Sequence, residues 1–227
     1  MTKIDKMEHL YINYLKESVQ KQIANEIDNS KIDSIVALYL NRYFQKSKSR
    51  NFQLYYFKTL NNSDSFHGEQ NFFREFKRQY SLQGIDNEFL DKLESEKVEI
   101  LNCIRQNDLA KLYLEKFRYA KLKHRGNIRI TDLSSFFAKI VHTFNPENYC
   151  ALDNPIKNYF KLDKESFYLS FLVISSEYKN WAIQNQNTIK LLKSKIETLD
   201  TDKVIDLNKL TDLKLLDLIF WSKANPN

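Results

Sequence analysis

The chain has 227 residues, and 35 Lys and Arg against 29 Asp and Glu give a formal net charge of +6. This mild excess is compatible with a nucleic-acid partner without being diagnostic of one. Only three Gly and three Pro occur, which is too little turn chemistry for an all-β fold. The apolar runs are interrupted well short of a membrane span, so no membrane partner is expected.

Known motifs for cofactors and metals are missing from the sequence. There is no glycine-rich phosphate loop and no zinc-binding pattern, so neither a cofactor nor a metal is expected. Cys103 and Cys150 form no ligand cluster or disulfide framework, which favours a reducing compartment. The first residues do not resemble a signal peptide, and a cytoplasmic location is therefore expected.

The first third of the chain predicts helices. Apolar residues recur at helical spacing over 7–27 and 32–45, whereas 52–60 is a short aromatic run that could form a helix or a strand. Residues 61–68 are polar and predict a loop. We take this loop as the boundary between an N-terminal helical subdomain, 1–62, and a helical core, 63–227, which together could form one compact unit.

The rest of the chain also predicts helices, over 69–80, 87–105, 108–121, 164–181, 185–199 and 207–221. Hardly any strand is predicted, so the fold class is expected to be all-α.

Residues 116–129 form the densest basic segment, with no acidic residue between Glu115 and Asp132. Clustered Lys and Arg side chains are what a protein needs to bind DNA phosphates. The alternative is the cationic end of a helix followed by a solvated loop. The candidate DNA-binding residues are Lys121, Lys123, Arg125 and Arg129.

The stretch from Ser135 to Phe160 is the most distinctive part of the chain. It reads as an apolar helix, a connection closed by Asn145-Pro146, a short extended run and a second helix. Asp153 or Asn154 can cap the second helix, and Pro155 suits its first position. A carboxylate held at a helix N-terminus can stabilise a developing cation or assist proton transfer.

The pattern Ala138-Lys139-x-x-His142-x-x-Asn145-Pro146-x-x-Tyr149-x-x-x-Asp153 resembles the region around the catalytic aspartate of helix-hairpin-helix DNA glycosylases. It is most similar to the bacterial branch with an 8-oxoguanine-glycosylase-like fold, and the resemblance covers about residues 130–160. A weaker similarity lies in Asp217-Leu-Ile-Phe-Trp221, since the last helix of such proteins often ends near a Trp.

The resemblance implies a two-lobed helical fold and a partner, duplex DNA, from which a modified or damaged base is flipped and excised. Asp153 would assist the reaction, Lys139 is the candidate nucleophile, and His142 and Tyr149 are candidate pocket residues. The segment 129–135 lacks the hairpin glycines of the family, so the hairpin is degenerate. The Lys-to-Asp spacing is also shorter by about one helical turn, so Asp153 carries over more directly than Lys139.

Each of these residues also has a purely structural interpretation. Asp153 could serve only as a helix cap, Lys139 as a surface lysine and His142 as a hydrogen-bonded core residue. The alternative function is a non-catalytic helical module that binds DNA or a protein and retains the glycosylase-like fold. The sequence leaves the excised base and the oligomeric state open.

Overall fold

The computed structural model describes residues 3–124 and 126–226, and it confirms the all-α fold class. The first nine helices are α1 Lys3–Glu26, α2 Ile32–Ile35, α3 Arg42–Gln45, α4 Ser47–Thr59, α5 Ser63–Gly68, α6 Phe72–Gln79, α7 Asn87–Ser95, α8 Lys97–Arg105 and α9 Leu109–Leu112. The others are α10 Ser134–Phe144, α11 Asn154–Tyr159, α12 Phe167–Gln184, α13 Gln186–Leu199 and α14 Asp212–Ala224.

Three further helical segments lie between these helices. A 3₁₀ turn covers Asn29–Lys31, and π-helical turns cover Val36–Leu40 and Tyr113–Arg118. The described residues contain two strands, β1 Ala120–His124 and β2 Asn127–Thr131, which pair antiparallel as a hairpin. The sequence does not predict this hairpin, because its basic residues are typical of a helix end followed by a loop.

One hydrophobic core extends from Leu15 in α1 to Phe220 in α14. Helix α1 packs along α12, and both α11 and α12 pack against α14. The π-helical turn Val36–Leu40 also contacts α14, so both ends of the chain contribute to the same core. None of the helices in the described part of the chain is long and apolar enough to cross a membrane.

The predicted loop over 61–68 is wrong in its last six residues, because α5 occupies Ser63–Gly68. The Asn62 side chain caps this helix by accepting a hydrogen bond from the Ser65 backbone N–H at 2.9 Å. Phe66 is fully buried and packs edge-on against Phe72. A short polar segment therefore forms a helix because one cap and one buried ring stabilise it.

The central stretch folds as predicted, and it positions the candidate site. Helix α10 ends at Phe144, because the backbone of Asn145, with φ −148° and ψ 58°, leaves the helical conformation. Helix α11 begins after Asp153, whose φ of −133° is typical of an N-cap, and Pro155 occupies its first turn. Most of α10 is buried, including Lys139 and His142.

Candidate active site

A cavity of about 980 Å³ opens between the N-terminal helices α3 and α4, the end of α6, helix α10 and the C-terminal helix α14. Its size suits a small-molecule or nucleotide-sized ligand. Five cationic and two anionic side chains line it, so its wall carries a positive excess that favours an anionic ligand. These side chains are Arg42, Lys48, Arg78, Lys139, Lys214, Asp153 and Asp217.

Asp153 both caps α11 and lines the cavity. Its Oδ1 accepts a hydrogen bond from the Ile156 backbone N–H at 3.2 Å. Its Oδ2 accepts one from the indole Nε1–H of Trp221 in α14 at 3.1 Å. The cap and the tryptophan fix the carboxylate from two sides, so it is held in one orientation towards the cavity.

Lys139 lies in the same cavity wall, and only 8% of it is exposed. Its ammonium donates a hydrogen bond to Ser135 Oγ, one helical turn earlier, at 2.5 Å. Burial lowers the pKa of Lys139, and the carboxylates of Asp153 and Asp217 partly oppose this effect. Lys139 is therefore not a snorkelling surface lysine, and burial favours the neutral amine that a nucleophile requires.

A buried ion pair on α14 also lines the cavity. Lys214 and Asp217 lie one turn apart on α14, with Nζ and Oδ2 separated by 3.7 Å. Burial raises the pKa of Asp217 to about 6, against the opposing effect of Lys214, and burial lowers the pKa of Lys214. Among the described residues, no donor bonds Asp217 Oδ1, although that atom is buried.

Aromatic and amide side chains form the rest of the wall. The aromatic residues are Tyr43, Phe52, Tyr80 and Trp221. The Arg42 guanidinium lies 5.2 Å from the centre of the Trp221 ring, and Tyr43 donates its hydroxyl hydrogen to the Leu218 carbonyl oxygen. Gln53 is buried, and its Oε1 receives no hydrogen bond from the described residues. The aromatic rings offer faces on which a flat ligand can stack.

His142 and Tyr149 lie outside the described lining of the cavity. His142 is fully buried, and its Nδ1–H donates to the Tyr149 carbonyl oxygen at 2.6 Å while its Nε2 accepts from the Tyr56 hydroxyl at 2.7 Å. Burial lowers the pKa of His142 to about 3, so the ring is neutral. The Tyr149 ring stacks on Phe171. Both residues hold the connection between α10 and Asp153.

Three of the four candidate DNA-binding residues lie on the hairpin. Lys121 and Lys123 belong to β1 and Arg129 to β2, and all three are exposed. Lys123 pairs with Glu88 at 3.0 Å, whereas Lys121 and Arg129 form no ion pair with the residues described. Arg125 lies outside the described residues. The structure thus brings Lys139 and Asp153 into one cavity, whose lining does not include Lys121, Lys123 or Arg129.

Sequence reasoning missed Lys214, Asp217, Arg42 and Gln53 as residues of the site. A signal existed for the first two, because Lys214 and Asp217 interrupt the apolar C-terminal helix at i, i+3 spacing. No cluster of His, Cys, Asp and Glu in the described chain could hold a metal ion.

Comparisons with protein-family models, with curated proteins and with solved structures gave no match to this chain.

Proposed function

We propose that the chain is a DNA glycosylase-like protein that flips a modified or damaged base into the cavity and excises it. One observation carries this proposal: a buried lysine of lowered pKa and a fixed carboxylate, Lys139 and Asp153, share the wall of one cavity. The aromatic rings of that wall support it, because a flipped base needs faces on which to stack.

The proposed reaction divides the work between two residues. The Asp153 carboxylate stabilises the positive charge that develops on the sugar as the glycosidic bond breaks and its electron pair leaves with the base. The neutral amine of Lys139 then bonds to the sugar carbon C1′ and loses a proton. The C1′–O4′ ring bond breaks, its electron pair stays on O4′, which takes up a proton, and the carbon–nitrogen double bond of the Schiff base forms. The shorter spacing between Lys139 and Asp153 argues against this role in the sequence, but the fold brings both residues to the same cavity.

The test is incubation with duplex DNAs that carry a panel of damaged and modified bases, followed by alkaline cleavage and by borohydride trapping. We expect base release from at least one substrate and a covalent protein–DNA adduct. Lys139→Gln should abolish the adduct, whereas Lys157→Gln should not. Lys157 is a matched control, because it is equally buried but bonds the Asp163 and Glu165 carbonyl oxygens away from the cavity.

Asp153→Asn should slow base release by at least about a hundredfold, because it removes the charge that stabilises the transition state. Asp200→Asn is the matched control. Asp200 is buried and accepts hydrogen bonds from the backbone N–H groups of Val204 and Ile205, but it does not line the cavity. Base release without an adduct would assign the attack to water instead of Lys139. DNA binding without release from any substrate would favour the non-catalytic module.

A further inference from the structure

The hairpin β1–β2 has two different faces. Residues that pair directly across an antiparallel ladder point to the same side. Lys121 pairs with Ile130 and Lys123 with Ile128, and these four side chains form what we call the outer face. Ala120 and Leu122 point to the opposite side and are buried against the protein.

The hairpin is firmly anchored. Leu122 belongs to the core, and β1 contacts α7. The Lys123 backbone N–H donates to the Asp86 carboxylate at the start of α7. At the base of the hairpin, the Leu133 N–H donates to the Phe117 carbonyl oxygen at 2.9 Å. The outer face is therefore presented by a braced element and not by an isolated hairpin, which would be marginally stable in water.

The outer face exposes two large apolar side chains. Ile128 is 75% and Ile130 63% exposed, and they are two residues apart on the same side of β2. Exposed β-branched residues on an edge strand are a liability that proteins usually reduce with charge. Here Lys121 and Lys123 on β1 lie directly across the ladder from Ile130 and Ile128 on β2, so each exposed isoleucine has a cationic neighbour.

A basic groove lies between the cavity and the start of α7, which is bonded to the hairpin. Asp86, which bonds β1, precedes Asn87, and Asn87 lines a groove of about 360 Å³ together with Arg74, Lys77 and Arg78. This groove shares Arg78, Ser81 and Leu82 with the cavity. The hairpin also leads directly into α10, whose Ser135 and Lys139 line the cavity. The groove therefore connects the part of α7 that contacts the hairpin with the cavity.

We propose that the outer face of the hairpin is a wedge for duplex DNA, in which Ile128 and Ile130 enter the base stack while Lys121 and Lys123 contact the flanking phosphates. Apolar side chains that insert between base steps unstack and kink a duplex, and one or two of them suffice. This inference rests on the proposed function, since a wedge beside the cavity lowers the work needed to flip a base into it.

Charge and area both favour DNA as the occupant. No acidic residue lies between Glu115 and Asp132, so the outer face itself carries only cationic and apolar side chains, although Glu88 of α7 pairs with Lys123 at 3.0 Å. A stable protein–protein interface buries about 800 Å² on each partner, far more than two isoleucine side chains supply. A wedge needs only the apolar tip and neighbouring cations, which is what the outer face offers.

The test uses a duplex with 2-aminopurine next to a mismatch, because the fluorescence of this base rises when it is unstacked. The full chain should raise the fluorescence, and Ile128→Ser/Ile130→Ser should lose most of that rise. The double variant should also bind the intact duplex about tenfold more weakly, a factor that corresponds to about 1.4 kcal/mol. Its affinity for a duplex with an already unstacked bulge should stay within about twofold of wild type, which shows that the variant is folded.

Ile183→Ser is the matched control, because Ile183 is also 63% exposed but lies on α12. Equal fluorescence rises for the double variant and this control would overturn the wedge while leaving the proposed excision intact, since base release is measured separately. Failure of the wild-type chain to bind any DNA would remove both proposals. A change of sedimentation behaviour in the double variant, with unstacking unaltered, would identify the face as a protein interface and overturn the wedge.

Discussion

Asp153→Asn tests whether the carboxylate is more than a helix cap. From the sequence alone, this substitution should cost about 1 kcal/mol or less, because Asn is also a good N-cap. The structure predicts a larger loss, since both oxygens accept hydrogen bonds, one from the Ile156 N–H and one from the Trp221 indole. Asn has only one oxygen, so its NH₂ group must face one of these donors.

The expected loss is the value of one hydrogen bond to a charged group, about 1.5–3 kcal/mol. For a chain of this length, each kcal/mol lowers the melting temperature by about 2–4 °C, so we expect a shift of about 3–12 °C. Removal of the charge also takes away one of the two carboxylates that oppose the lowered pKa of Lys139.

A double-mutant cycle with Trp221→Phe isolates the hydrogen bond. Trp221→Phe removes the indole donor from the opposite side, so the combined variant should be less destabilised than the sum of the two single variants. We expect a coupling free energy of about 1 kcal/mol or more, measured by chemical denaturation. Additive effects within about 0.5 kcal/mol, or an unchanged melting temperature for Asp153→Asn, would refute this account of the carboxylate.

Three further predictions concern other residues. Because the pKa of Asp217 is raised to about 6 in the folded state, folding favours the protonated acid. The free energy of unfolding of the wild type should therefore fall, relative to that of Asp217→Asn, as pH rises from about 4 to about 6. Chemical denaturation across this pH range measures the difference. His142, whose pKa is lowered to about 3, should show no change in ring chemical shift between about pH 8 and pH 5 in NMR titrations of the folded chain. Lys121→Ala/Lys123→Ala should weaken duplex binding equally across sequences and reduce the slope of log affinity against log salt by about 2, as titrations at several salt concentrations would show.

Local sequence signals were sufficient where one segment decides its own structure. Asp153 and Pro155 specify the start of α11 because a cap and a fixed φ act over a few residues. The apolar periodicity over 185–199 likewise predicted α13, which covers Gln186–Leu199. These elements could be predicted because neighbouring residues satisfy their hydrogen bonds.

The charged part of the cavity depends on distant contacts and could not be predicted in the same way. Lys214 and Asp217 look like the solvent face of an amphipathic helix, yet both are buried because residues far away in the chain cover them. Lys214 lies 4.2 Å from the centre of the Tyr56 ring, a cation–π contact that no local pattern indicates. The hairpin escaped prediction because its alternation of Lys with apolar residues spans only a few positions.

The cavity joins parts of the chain that are far apart in sequence, and this has a consequence for the order of folding. Trp221 bonds Asp153 across 68 positions, and Arg42 bonds Ser222 across 180. Contacts of such long sequence separation form late, because the loop entropy must be overcome first. During synthesis, α10 and α11 emerge before α14 exists, so a nascent chain carries Lys139 and Asp153 without the tryptophan that orients the carboxylate. The hairpin is also made before α14, so the surface proposed to grip DNA precedes the completed reaction site.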